Sequence, residues 1–120
     1  HVVFFVPPVA PTIFALMQKD AAKFAYMQEL SGKLEAAMKK YGFGYFDFHD
    51  PARLGAGDCE FVDGLHGGYI IYDRLLLQIA RADSQINVNR KLLERESAAR
   101  KGYASTLESE IDFLNLGCKR

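Results

Sequence analysis

The sequence lacks an excess of charge of either sign: Lys+Arg and Asp+Glu are both 15, for a formal net charge of +0. A protein that neutralises many phosphates needs a cationic footprint, so nucleic acid is excluded as the main partner. Long hydrophobic runs are also missing. The longest apolar stretches, such as HVVFFVPPVAP at the start, are broken by prolines and fall short of the roughly 20 apolar residues of a spanning helix. No membrane span is expected. Cysteine is scarce: Cys59 and Cys118 are too few for a disulfide framework and enough for one bridge. The residues leave a Cys59–Cys118 bridge and two unpaired thiols equally open. In an oxidising envelope the bridge would fasten the tail to the loop around Cys59 and stabilise by about 4 kcal/mol in the chain-entropy model. In a reducing cytosol the two would stay thiols. Internal repeats and low-complexity tracts are absent.

What the chain does have is 120 residues, 49% of them hydrophobic, enough for one domain with a buried core. It starts at His1 and not at methionine, directly on a core-like strand pattern. Processing or truncation is the expected origin of that start, and any targeting peptide would lie upstream. VVFFV (Val2–Val6) is a continuous β-branched and aromatic run, the pattern of a strand buried on both faces of a parallel sheet. From Ile13 to Tyr41 the residues Phe14, Met17, Ala21, Phe24, Met27, Leu30, Leu34, Met38 and Tyr41 recur every three or four positions. That spacing predicts one long amphipathic helix closed by Gly42 and Gly44, its methionine stripe being ordinary core with no cofactor. YFDFH (Tyr45–His49) alternates as a second strand and stops at Asp50-Pro51. Strand, helix and strand make a βαβ unit.

Residues 50–66, DPARLGAGDCEFVDGLH, carry three glycines, one proline and four carboxylates, which predicts a polar loop after the second strand. In open α/β sheets ligands bind at the C-terminal ends of strands, so this loop is the place for function. A helix follows over Tyr69–Arg81, offering Ile70, Leu76, Leu77 and Ala80 to the core. Another is expected between about Asn87 and Leu114, where Leu93, Tyr103, Leu107, Ile111 and Leu114 keep a helical phase weakened by Gly102. Its mildly basic segment NRKLLERESAARK reads as a solvated face.

Within the loop, Asp63 and His66 stand three residues apart, a separation that a tight turn brings to one side. The Asp63 carboxylate could then accept the Nδ1–H of His66, fixing the tautomer and leaving Nε2 as a base toward a serine hydroxyl. With its context of βαβ unit, glycine-rich loop and following helix, Asp63-Gly64-Leu65-His66 resembles the last motif of SGNH (GDSL-type) hydrolases and acyltransferases. The resemblance covers roughly residues 1–81, the C-terminal half of such a domain. It implies an α/β fold, part of a flavodoxin-like three-layer α/β/α arrangement, with residues 82–120 as a C-terminal helical extension. It also implies that His66 is general base and acid, that Asp63 orients it, and that no cofactor is used. The implied chemistry is ester hydrolysis or O-acyl transfer on acyl esters, including those of cell-envelope polysaccharides, in a periplasmic or envelope setting.

The chain departs from that pattern at three points, one being that the family's oxyanion-hole glycine and asparagine motifs, which belong to earlier strands, are not found in it. Gly67 stands where many relatives have proline, and no Gly-Asp-Ser turn is present: the serines are Ser31, Ser84, Ser97, Ser105 and Ser109. The chain by itself is therefore expected to be inactive, its serine supplied from a missing N-terminal half. A non-catalytic interaction or scaffold domain derived from a hydrolase fold is the alternative. A third reading is a small helical protein whose VVFFV arm pairs with another chain. Two strands leave both sheet edges unpaired, so self-association through a strand edge is a further expectation. His49, Asp50, Asp58, Cys59, Asp63 and His66 are all potential metal ligands, but their spacing matches no closed zinc pattern; His49 and Asp50 read as turn and cap residues. Tyr69 and Tyr72 read as packing residues, with Tyr69 also placed to line a substrate.

Overall fold

A computed structural model of the chain describes residues 1–104. Its elements run β1 (Val3–Val6), α1 (Pro11–Lys19), α2 (Ala21–Lys40), β2 (Gly44–Asp47), two 3₁₀ turns at Pro51–Leu54 and Asp58–Glu60, α3 (Tyr69–Ala82) and α4 (Arg90–Ala99). β1 and β2 pair in parallel, from Val3 opposite Gly44 to Val6 opposite Asp47. Parallel neighbours need a crossover, which α1 and α2 supply. The chain is thus a mixed α/β fold whose described sheet has two strands.

The single helix expected over Ile13–Tyr41 is two helices. Asp20 breaks it: the residue leaves helical geometry (φ −102°, ψ 61°), and its carboxylate accepts from the Lys23 N–H at 3.3 Å to cap α2. Aspartate competes with the helical backbone in this way because its short side chain reaches neighbouring N–H groups. Helix α1 is capped from a distance, the Thr12 N–H and Oγ1 both donating to the Asp58 carboxylate at 2.8 and 2.6 Å. A carboxylate at a helix N-terminus also suits the helix dipole. The expected apolar face of α2 does turn inward, with Phe24, Met27, Leu34 and Met38 half-buried, but α1 and α2 bury no residue fully.

Burial on both faces was the expectation for VVFFV, and the structure corrects it. Phe4 and Phe5, which point to opposite faces of β1, remain 42% and 40% exposed, so neither face is fully covered among the described residues. The core lies elsewhere. Ala10, Phe48, Leu54, Phe61, Ile71, Leu75 and Ile79 form one buried cluster, so the residues just beyond the strand ends and the two 3₁₀ turns pack on α3. Ile71, Leu75 and Ile79, four residues apart, are the helix stripe that does this. Of the four residues expected to be core on α3, Ile70, Leu77 and Ala80 are buried and Leu76 is 37% exposed. Leu76 falls on the opposite side of the helix.

Helix α4 ends at Arg100, and Gly102 turns the chain with φ +89°. The expected helix to Leu114 therefore stops short at Ala99 on its described part, while Leu107, Ile111 and Leu114 lie outside the described residues. The same holds for Cys118 and hence for its expected pairing with Cys59.

One ion pair locks these pieces together. Glu60 is 2% exposed, and its carboxylate receives the Arg74 guanidinium through two bonds of 2.6 and 2.8 Å. The same carboxylate accepts the N–H groups of Gly57 and Gly102 at 2.9 and 2.8 Å. Burial alone would raise the Glu60 pKa, but the Arg74 hydrogen bonds, the two backbone N–H groups and the guanidinium charge together hold it below 4.5. Arg74→Ala leaves that carboxylate buried and uncompensated, so urea unfolding is expected to show a loss of about 3–5 kcal/mol. Because Arg74 holds the Glu60 pKa down against burial, the difference between the two proteins should be largest near neutral pH and shrink as pH falls and the buried carboxyl of the variant takes up its proton.

Candidate functional site

The loop between Glu60 and Tyr69 is folded back on itself. Phe61 and Gly67 form an antiparallel bridge, and the Val62 N–H donates to the His66 carbonyl at 2.9 Å. Gly64 sits at the tip with φ +78°, a left-handed conformation that glycine adopts without Cβ strain. Its carbonyl accepts the Ala10 N–H at 2.8 Å, which ties the tip to the segment following β1. The loop therefore stands beside the C-terminal end of a parallel strand, the region where α/β sheets place ligands.

This fold brings Asp63 and His66 together. Oδ2 of Asp63 is 2.6 Å from His66 Nδ1, while Oδ1 accepts the backbone N–H groups of His66 and Leu65 at 2.7 and 3.0 Å. A carboxylate only accepts, so Nδ1 carries the proton, and in the neutral ring Nε2 keeps its lone pair. The hydrogen bond from the His66 ring is the main cause that lowers the Asp63 pKa from 3.8. The His66 backbone bond adds to it, burial opposes it, and the Leu65 backbone bond and the His66 charge contribute least. The imidazole is 73% exposed, so Nε2 belongs to a ring that an incoming group can reach. In the same hairpin and the segments bonded to it, Val62, Leu65, Tyr69 and Tyr103 are exposed apolar or aromatic side chains at 41, 57, 64 and 44%.

The serines do not complete the arrangement. Ser31 accepts from the Tyr45 hydroxyl at 3.4 Å on α2, and Ser97 is half-buried on α4 with its Oγ shielded from solvent. Among the described residues no hydrogen bond joins a serine to His66; Ser105 and Ser109 lie outside them. His49 and Asp50 do local work: the His49 N–H donates to Asp47 at 2.8 Å, its ring packs edge-on against Phe14 at 5.4 Å, and Asp50 caps the first 3₁₀ turn through Ala52 N–H at 2.9 Å. Asp58 is taken up by Thr12. Among the described residues no three His, Cys, Asp or Glu side chains gather as a metal would require. A cavity of about 130 Å³ between α1, α2 and the end of β2 is lined by Phe14, Met17, Phe24, His49 and Arg53. Neither Asp63 nor His66 borders it.

Two supporting features were not read from the sequence. One is the Glu60–Arg74 pair beneath the loop; its available signal was a charged Arg74 between the apolar Ile71 and Leu75 stripe positions. The other is the return of residues 102–104. The Ala104 carbonyl accepts the Tyr69 N–H at 2.7 Å, and a Cβ on Gly68 would lie 1.8 Å from that oxygen. Glycine at position 68 is thus required by a close approach that no local pattern announces.

The His66 Nδ1–H, hydrogen-bonded to Asp63, is expected to give a downfield proton resonance in low-temperature NMR spectra of the chain. Asp63→Ala should abolish it while leaving the resonances of the Ile71 and Leu75 core in place. In the unaltered chain the resonance should persist down to about pH 3.8 and be lost as pH falls through the lowered Asp63 value, because the proton acceptor is then neutralised. Comparison with protein-family models, curated proteins and solved structures returns no match to the chain.

Proposed function

We propose that this chain is the base-bearing, C-terminal portion of an SGNH-like serine esterase or O-acyltransferase, part of a three-layer flavodoxin-like domain. The observation that carries the reading is the 2.6 Å contact between Asp63 and His66 Nδ1, on an imidazole left exposed. An exposed ion pair of this sort adds little to stability. Three hydrogen bonds nevertheless fix the carboxylate, which is what orienting a catalytic histidine requires.

In this reading His66 Nε2 takes the proton of a serine hydroxyl supplied by the remainder of the domain, as that oxygen attacks the ester carbonyl. Asp63 stabilises the imidazolium that results. The imidazolium then returns the proton to the departing alcohol, leaving an acyl-serine. Water or an acceptor hydroxyl, deprotonated by the same Nε2, releases the acyl group and restores the serine. The substrate class is an acyl ester, with envelope polysaccharide esters as the setting the motif suggests. The exposed Phe4 and Phe5, on opposite faces of β1, agree with further layers covering both faces of the sheet.

The test uses the natural polypeptide that contains this segment, assayed on a small chromogenic acetyl ester. His66→Ala is expected to lower kcat by about 10²–10⁴-fold, the usual contribution of a positioned general base, with KM little changed. The complete reading frame is expected to carry a Gly-Asp-Ser-type turn before His1. A frame with no such turn, together with an unaltered rate in the His66 variant, refutes catalysis and leaves the interaction or scaffold domain as the better reading.

A further inference from the structure

Helix α3 carries a second buried stripe besides the one that enters the core cluster. Ile70, Asp73, Leu77 and Ala80 are all buried, and Ile70, Leu77 and Ala80 lie outside that cluster. This stripe faces α4, whose Arg90 guanidinium donates to the Ala80 carbonyl at 2.5 Å. The half-buried residues of α4 are Leu93, Glu96 and Ser97. A helix interface would ordinarily be apolar at its centre, yet this one places a carboxyl group there. Asp73 is only 5% exposed, and its Oδ2 has no hydrogen-bond partner; the buried Ser97 Oγ has none either.

Just beyond α4 the chain returns to the candidate site. The Gly102 N–H donates to Glu60, and the Ala104 carbonyl accepts from Tyr69, directly after the Asp63–His66 hairpin. Docking of α4 on α3 and coverage of the hairpin's base are therefore joined through a few residues. We propose that α4 with residues 100–104 is a proton-dependent strap, closed over the base of the His66 loop when the Asp73 carboxyl is protonated and loosened when it is ionised. Only the consequence for catalysis rests on the function proposed above; the strap itself does not.

The sign follows from the surroundings. Burial, and next the charge of Glu96, raise the Asp73 pKa above 3.8, so the docked state binds more protons than the released one. Docking is then strongest below the ordinary aspartate range and weakens as pH rises through the raised value. The charged groups on elements packed against α3 are Arg53 on the first 3₁₀ turn, Asp58 and Glu60 on the second, and Arg90, Lys91, Glu94, Arg95 and Glu96 on α4. Arg53 donates to the Asp47 carbonyl, Asp58 is held by Thr12, Glu60 pairs with Arg74, Glu94 with Arg81 and Arg95 with Glu96. Glu96 is the one among them that acts on Asp73. The Glu60 end of the strap behaves oppositely, since its depressed pKa keeps it ionised and bound to Gly102 down to acid pH.

Amide hydrogen exchange on the whole chain tests the strap without reference to any activity. Protection factors at Tyr69 and Gly102, corrected for the intrinsic rate, should fall by up to about tenfold per pH unit as pH rises from the ordinary aspartate range through the raised Asp73 value. Amides in the interior of α3 should not follow. Asp73→Asn should make the two protection factors independent of pH, and Glu96→Gln, which removes one of the two causes raising the Asp73 pKa, should end the fall at lower pH. Flat protection in the unaltered chain, or an unchanged fall in Asp73→Asn, overturns the proposal. Should Asp73→Asn fail to fold, an unmoved fall in Glu96→Gln overturns it equally. His66→Ala should retain the wild-type fall, so a strap that works in a protein without esterase activity would count against the catalytic reading alone.

Discussion

The buried Glu60 carboxylate is the constraint on which the described structure depends. A carboxylate removed from water is tolerated only when its charge is countered and its oxygens are bonded. Here Arg74 counters it from α3, Gly57 bonds it from the preceding turn, and Gly102 bonds it from beyond α4. Three segments distant in sequence are thereby required to meet at one point. The hairpin that carries Asp63 and His66 begins at the next residue, so its orientation is inherited from that meeting.

The contrast between the two acid-bearing helices and loops is informative. Glu60 is buried and fully partnered, whereas Asp73 is buried with an oxygen that has no hydrogen-bond partner. The first arrangement is rigid and insensitive to pH until acid conditions. The second adds a pH-dependent term to α4 docking, because the low dielectric that strengthens the Glu60 pair penalises an unpaired charge. Asp63 stands apart from both: it lies at the surface, where water screens the pair, and its three hydrogen bonds fix direction more than they supply stability. In the function proposed for the chain, direction is what an orienting carboxylate must provide.

Much of the outline was legible in the residues. The two strands, the turn at Asp50-Pro51, the helix from Tyr69 and the pairing of Asp63 with His66 each follow from a local pattern, and each is present. The break at Asp20 was missed because the three-to-four periodicity runs through it unbroken, although aspartate can cap a new helix. The inner stripe of α3 was read partly on the wrong side: Leu76 is exposed, and Ile71, Leu75 and Ile79 hold the core. With apolar residues at 70, 71, 75, 76, 77 and 79, periodicity alone admits more than one phase, and the position of the strand ends selects between them.

What the residues settled unaided is local: the order of strands and helices, a glycine-rich loop with no serine turn, and a carboxylate within reach of an imidazole. Short-range geometry governs all of these, since backbone sterics and a three-residue spacing act without knowledge of the fold. The fold alone settled which side of α3 is buried, that β1 keeps its phenylalanines half-exposed, that Glu60 draws in Arg74 and Gly102, and that Gly68 must admit the Ala104 carbonyl. Those outcomes depend on which segments share a volume. Burial and the partners of a buried charge are properties of that shared volume, and no single stretch of chain contains them.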